Sequence, residues 1–277
     1  MFFEDAQKNK KIKEGKPKIF VVGFSTWKTY LRMYFSEYDL IFLPKDIKKN
    51  QFNSQYRKQI VSLKDSCQVF IWGFKAPEYI LEFLREEKIS TKFVEDGFVR
   101  SVQLGATKAP PMSLCLDSKT PYFDATRPSE LEDLLGSYVL DEKENDAAKK
   151  NLQSFLDSKV SKYNHNPHCS PIKIYGKKNK KRVLVIGQVE DDASIIYGCN
   201  EKINNNDLVR LAHAENPNAE IFYKPHPDVL AGYRDYFSKP EDVSHLCKIV
   251  SDNVSLPSCL SSIDHVCTIT SLSGLEA

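Results

Sequence analysis

The chain contains no apolar run approaching the ~20 residues needed to span a bilayer. Its start, MFFEDAQKNKKIKEGK, lacks the apolar centre of a signal peptide. It is therefore expected in the cytoplasm. The seven cysteines (Cys67, Cys115, Cys169, Cys199, Cys247, Cys259, Cys267) are odd in number and include no C-x-x-C pair. Neither a disulfide framework nor a zinc site is indicated. There is also no large excess of charge: 39 Lys+Arg stand against 37 Asp+Glu, a net of +2, unlike a dedicated nucleic-acid binder. Basic surface is local, in Lys8, Lys10, Lys11, Lys13, Lys16 and Lys18, and again in Lys177, Lys178, Lys180, Lys181 and Arg182. Such runs read first as a solvated tail and a solvated loop. No internal repeat or low-complexity tract is visible.

What is present is apolar material for a core, 41% of 277 residues, arranged as short strands alternating with helices. KIFVVGF (from Lys18), DLIFLP (from Asp39), CQVFIWGF (from Cys67) and KFVEDGF (from Lys92) read as strands. Helical stretches separate them at Thr26 to Phe35, Ser54 to Leu63 and Pro77 to Glu87. This rhythm predicts a parallel α/β sheet covered on both faces. MSLCLD (Met112 to Asp117) and TPYFDA (Thr120 to Ala125) are further strand candidates. Ser129 with Glu132 predicts a capping box, and Asp141 to Val160 a long charged helix. SKYNHNPHCSPIK, rich in Pro, Asn and His, marks a domain boundary. A second α/β unit then runs through RVLVIG (from Arg182), a helix near Asn206 to Glu215, EIFYK (from Glu220) and HVCTIT (from His265). The chain stops at Ala277, in the opening turn of a helix, which leaves this sheet without later strands and reads as a truncation.

Four segments carry chemistry. VEDGFVRS places Glu95 and Asp96 at the carboxyl end of a parallel strand, where ligands of open α/β sheets bind, before a glycine that lets the chain turn. Arg100 could pair with these carboxylates or with an anionic substrate. GQVEDDASIIYG puts Glu190, Asp191 and Asp192 at another strand end, where mutual repulsion points to a site. YKPHPD displays Lys224 and His226 on a proline-stiffened backbone suited to a phosphate or leaving group. TSLSGLEA offers hydroxyls and glycine at a strand-to-helix turn, where free N–H groups hold phosphate.

In this order the four motifs resemble the bacterial capsule polysaccharide biosynthesis family, and within it the carboxyl-terminal module of KpsC-type β-Kdo glycosyltransferases. GFSTWK (Gly23 to Lys28), PMSLCLD, SKYN (Ser161 to Asn164) and NPNAEIFYKPHPDVLAGYR extend the match over about Lys18 to Ala277. The resemblance implies a GT-B fold, two Rossmann-like domains facing a cleft. After a basic leader, 1–17, these would be an acceptor-side domain, 18–165, and an incomplete nucleotide-sugar domain, 166–277. It implies CMP-Kdo as donor and a lipid-linked Kdo oligosaccharide as acceptor, with neither cofactor nor metal. It also implies peripheral contact with the inner membrane and with capsule assembly proteins, and no nucleic acid.

By resemblance the nucleophile of a retaining double displacement is Asp192, in a Q-x-x-x-D pattern with Gln188, with Asp191 its nearest competitor. Glu95 and Asp96 would handle the acceptor proton and orient the sugar. His226 and Lys224 would stabilise the departing CMP phosphate. Ser271, Ser273, Gly274 and Glu276 complete the nucleotide-binding set. Rival readings are an inverting, sialyltransferase-like enzyme with Asp96 as base, a non-catalytic module of the assembly machinery, and a lysine-mediated binder of anionic lipid.

Overall fold

In a computed structural model, residues 15–235, 237–250 and 254–277 are described. Lys8, Lys10, Lys11 and Lys13 lie outside the described residues. The chain divides into two compact units between Val94 and Glu95.

The strands of the first half are β1 (Lys18–Val22), β2 (Asp39–Phe42), β3 (Cys67–Trp72) and β4 (Thr91–Asp96), with β5 (Leu114–Asp117) beyond them, in the order β2-β1-β3-β4-β5. β1 pairs in parallel with β2 and β3, Lys18 standing opposite Asp39 and Cys67, and β3 pairs in parallel with β4. The β-branched and aromatic run of β1 is buried on both sides, as a parallel sheet demands: Ile19 to Val22 are at most 2% exposed. Each such side chain contributes about 1.5–3 kcal/mol of burial. Ile80, Phe83 and Leu84 of the helix Glu78–Glu86 pack on one face, with Phe52 and Ile60. Pro77 stands at the N-cap of that helix, where its missing N–H costs nothing.

In the second unit β6 (Arg182–Ile186), β7 (Glu220–Lys224), β8 (Lys248–Ile249) and β9 (His265–Cys267) form a parallel sheet in the order β8-β7-β6-β9. Alternation sorts its faces. Val183, Val185, Ile221 and Tyr223 meet Leu208, Val209 and Ala212 of the helix Asn205–Glu215, while Leu184, Ile186 and Phe222 meet Tyr175, Val254 and Cys259. All seven cysteines are free thiols, and burial pushes the Cys247 thiol up to about 11.

Several expectations change in detail. TPYFDA is turn, not strand: Asp117 Oδ1 accepts the N–H groups of Lys119 and Thr120, and Asp124 accepts the Thr120 hydroxyl, so side chains satisfy a backbone that Pro121 withholds from a ladder. Ser129 does accept the Glu132 N–H, and the helix Glu142–Ser158 opens on a full box between Asp141 and Glu144. Arg182 does not belong to a solvated loop. It is 1% exposed, donates to the carbonyls of Tyr175 and Gly176, and lies 3.6 Å from Glu220. The two-residue β8 carried no sequence pattern long enough to read. No helix among the described residues is long and apolar enough to cross a membrane.

Candidate active site

Every residue of the site described below belongs to the unit Glu95–Ala277. At the end of β4, Asp96 Oδ2 accepts from Nε of Arg100 at 2.6 Å. Arg100, 1% exposed, also donates through Nη1 to Ser101 Oγ. The carboxylate therefore engages the guanidinium, the first of the two pairings open to Arg100 from its sequence context. The second Asp96 oxygen, Oδ1, is buried without a partner. Glu95 is half-buried beside it. Gly97 is needed for a different reason than a turn. A Cβ there would come within 2.3 Å of Ser113 Oγ and 2.9 Å of the Ser113 carbonyl carbon, while Gly97 N–H donates to Ser113 O at 2.9 Å. The glycine permits close backbone approach.

The acidic run after β6 is divided among three partners. Glu190 accepts the N–H groups of Asn205 and Ser238 and the Ser238 hydroxyl. Asp191 pairs with Arg234. Asp192 caps the helix Ala193–Gly198, its Oδ1 accepting both N–H (2.9 Å) and hydroxyl (2.7 Å) of Ser194. Dispersal of the three charges replaces the mutual strain that the sequence alone suggests. Asp191 and Asp192 are both exposed and each is engaged through Oδ1, but the partner of Asp191 is a cation and that of Asp192 a neutral serine. Gln188 is a hub: Oε1 accepts Thr270 N–H at 2.7 Å, Nε2 donates to Thr270 Oγ1, and its backbone pairs twice with Asn205. It holds the turn after β9 against β6.

Lys224, the last residue of β7, is buried, and His226 beyond it is half-buried. Nδ1 of His226 accepts the Asp228 N–H at 3.1 Å, capping the short turn Pro227–Leu230. Burial, reinforced by the Lys162 cation, depresses the imidazole to about 4. At neutral pH it is uncharged, with Nε2–H left as a donor. Asp228 is pushed up by its burial, and its Oδ1 has no partner.

In the turn after β9, Ser271 Oγ accepts from Ser273 N and Ser271 O from Gly274 N, while the N–H groups of Thr270 and Ser271 go to Gln188 and Thr268. The backbone donors expected to bind phosphate are thus engaged internally, and the hydroxyls of Ser271 and Ser273 remain the accessible groups. A Cβ at Gly274 would meet Thr268 Cγ2 at 2.9 Å. Glu276 Oε1 accepts Lys162 N–H at 2.8 Å; burial raises its carboxyl, and Oε2 is unpartnered.

One segment joins these groups, the strap Ser161 to His165. Lys162 O accepts the N–H groups of Arg100 and Ser101, and Asn164 donates through Nδ2 to Ser101 O. The N–H of the same Lys162 is held by Glu276. Tyr163, rising from the strap, is half-buried, and its phenol is pushed up first by burial, then by Asp228, Asp96 and Asp192. Tyr122 responds to Glu95, Asp96 and Asp192 in the same way. Two phenols thus feel carboxylates 96 positions apart in sequence. Lys162, Tyr122, Tyr163, Asp228 and Arg234 were not singled out as site residues from sequence. SKYN was visible only as a family match. Among the described residues, no three or more His, Cys, Asp or Glu are grouped to hold a metal.

The architecture defines a mixed α/β protein with polar groups gathered at the carboxyl ends of parallel strands, the place where such sheets take ligands. The chain belongs to the capsule polysaccharide biosynthesis protein family, whose profile matches residues 68–277. It is 40% identical over 95% of its length to the lipopolysaccharide-processing protein LpsZ of Rhizobium meliloti, covering 59% of that protein. It is 35% identical over 94% of its length to the capsule polysaccharide modification protein LipA of Neisseria meningitidis, covering 35% of it. The chain thus spans little more than half, or about a third, of these curated relatives. Among solved structures it resembles Thermosulfurimonas dismutans KpsC, beta Kdo 2,4 transferase, with a TM-score of 0.73 at 29% identity, covering 92% of this chain and 75% of that one. It also resembles the beta Kdo 2,7 transferase of the same name and organism, with a TM-score of 0.64 at 26% identity, covering 94% and 74%.

Proposed function

We propose that the chain is a glycosyltransferase module that moves Kdo from CMP-Kdo to a lipid-linked Kdo oligosaccharide, by retaining double displacement, in capsule or related polysaccharide assembly. The observation carrying this reading is the strap Ser161 to His165, which ties the loop after Asp96 to Glu276 of the turn after β9, with Asp96 and Asp192 both acting on the phenols of Tyr122 and Tyr163, in a chain whose structural neighbours are named as Kdo transferases. The GT-B architecture, with domains 18–165 and 166–277, belongs to the same reading, as does work at the cytoplasmic face of the inner membrane.

In the first step Asp192 Oδ2 attacks the anomeric carbon, and the bond to the phosphate oxygen breaks, releasing CMP. Ser194 holds the nucleophile in place through the opposite oxygen. His226 meets the departing phosphate as a neutral Nε2–H donor, with Lys224, Ser271 and Ser273 as further contacts and Glu276 near the nucleoside. Gln188 fixes the turn that presents those hydroxyls. In the second step an acceptor hydroxyl attacks the anomeric carbon, Asp192 leaves, and the hydroxyl proton passes to Glu95 or Asp96. Asp96 Oδ1, buried and without a partner, suits an incoming hydroxyl.

The test is transfer from CMP-Kdo, generated in place, to a synthetic Kdo-terminated acceptor, with intact-protein mass spectrometry. Product plus an adduct one Kdo heavier, lost in Asp192→Asn, is expected. Asparagine caps a helix as well as aspartate does, so a fall in transfer of ~1,000-fold or more would reflect chemistry rather than unfolding. Product with no adduct and an active Asp192→Asn would turn the reading to the inverting mechanism. No product and no CMP binding would remove it.

A further inference from the structure

The strap Ser161 to His165 is tied at both edges. Lys162 O takes two N–H groups from the loop that follows Asp96, and Lys162 N–H is held by Glu276 from the turn that follows β9. The Cα of Lys162 is thereby fixed between the carboxylate end and the hydroxyl end of the site. Its side chain is half-buried, with Nζ 5.6 Å from the Tyr163 ring centroid. No carboxylate among the described residues lies within 4 Å of that Nζ, although Asp228 and Glu276 are both within its electrostatic reach. A partly desolvated ammonium without a close counter-ion carries an energetic penalty that a bound anion removes. The arrangement holds a cation ready rather than using it for structure.

We propose that Lys162 recognises an anionic group of the donor, its phosphate or the carboxylate of the acidic sugar. This rests on the transferase reading above and adds a residue to it. Lys162 adds a direct charge where His226 is neutral. A charge-assisted hydrogen bond of ordinary strength predicts a loss of about 10- to 100-fold when the charge is removed.

The experiment compares the parent chain with Lys162→Met, which keeps the stem, and Lys162→Arg, which keeps the charge. Donor KM, kcat and calorimetric binding of CMP alone are measured, with thermal denaturation as the control for folding. Expected is a donor KM raised about 10- to 100-fold in Lys162→Met with a smaller change in kcat, and substantial recovery in Lys162→Arg. CMP affinity reduced in parallel would assign the contact to the phosphate. CMP affinity unchanged beside the raised KM would assign it to the sugar carboxylate. Donor KM and CMP affinity both within twofold of the parent would overturn the proposal while leaving the transferase reading intact. A parent chain that neither binds CMP nor transfers Kdo would overturn both.

Discussion

The carboxyl ends of β1 and β3 differ from those of β6, β7 and β9 in what they do with charge. In the first unit, Gly23 turns with φ +77°, and a Cβ there would come within 2.7 Å of Lys75 Cβ. The chain then buries Lys28 among aromatic rings: its ammonium lies over Trp72 and within 6.0 Å of the Phe24 centroid, while Phe24 and Trp72 meet edge-on at 5.1 Å. π faces balance that cation and close the strand ends. In the second unit the strand ends carry His226, Asp228 and Glu276, and two of these leave a buried carboxylate oxygen without a partner. Unmet hydrogen-bonding capacity is costly in a folded protein and accumulates where a ligand is to supply the missing partner. Parallel strands provide the location in both units, and in the second the carboxylates of Asp228 and Glu276 keep open valences there.

The largest effect that would test this contrast is on stability. Trp72→Ala removes a ring that is 6% exposed and uncovers Lys28. A loss of ~3–5 kcal/mol is expected, read by chemical denaturation. CMP affinity measured below the melt should stay at the parent value. A parallel fall in CMP affinity would break the comparison, because the sealed strand ends would then be shaping the open ones.

A smaller effect is expected at Gly97, within the site-bearing unit. Gly97→Ala would force a methyl against Ser113 Oγ and its carbonyl carbon, for ~1–3 kcal/mol of overpacking. The displaced loop carries Asp96 and Arg100, so transfer should fall more than stability does. Parent-like kcat with lowered stability would mean that the position of Asp96 matters less than its charge.

The strands were legible because their signal is dense. EIFYK spans the whole of β7 and RVLVI the whole of β6. The long charged helix was legible from its length and charge, while its capping box between Asp141 and Glu144 emerged only with the structure. TPYFDA misled because β-prone residues outweighed Asp117 and Asp124, whose turn-forming bonds become visible only when their N–H partners are placed. At the site, sequence named the carboxylates but not their division of labour: nothing in the run EDD tells Glu190, bound to Ser238 forty-eight positions away, from Asp192 at a helix cap. Lys162 and Tyr163 were hidden in a segment read as a boundary, since a strap held by Arg100, Ser101 and Glu276 has no local periodicity.

The finest mark of the contrast is an imidazole, for all six histidines of the chain fall after residue 164. His226 sits at about 4 against an ordinary 6.5, with burial the first cause, Lys162, Arg234 and Lys224 adding to it, and Asp192 opposing. A depressed histidine means that the unfolded chain binds its proton first as pH falls. Its contribution to stability is therefore full above about 6.5, declines between 6.5 and about 4, and is flat below. His226→Asn keeps an N-cap acceptor and removes that proton. Denaturation midpoints between pH 7 and 4 should fall more steeply for the parent than for His226→Asn. Added CMP should reduce the difference, because a phosphate at Nε2 favours the protonated ring. Parallel slopes would mean that the ring is not held neutral by its surroundings, and His226 would then join Lys162 and Lys224 as a cation facing the donor phosphate.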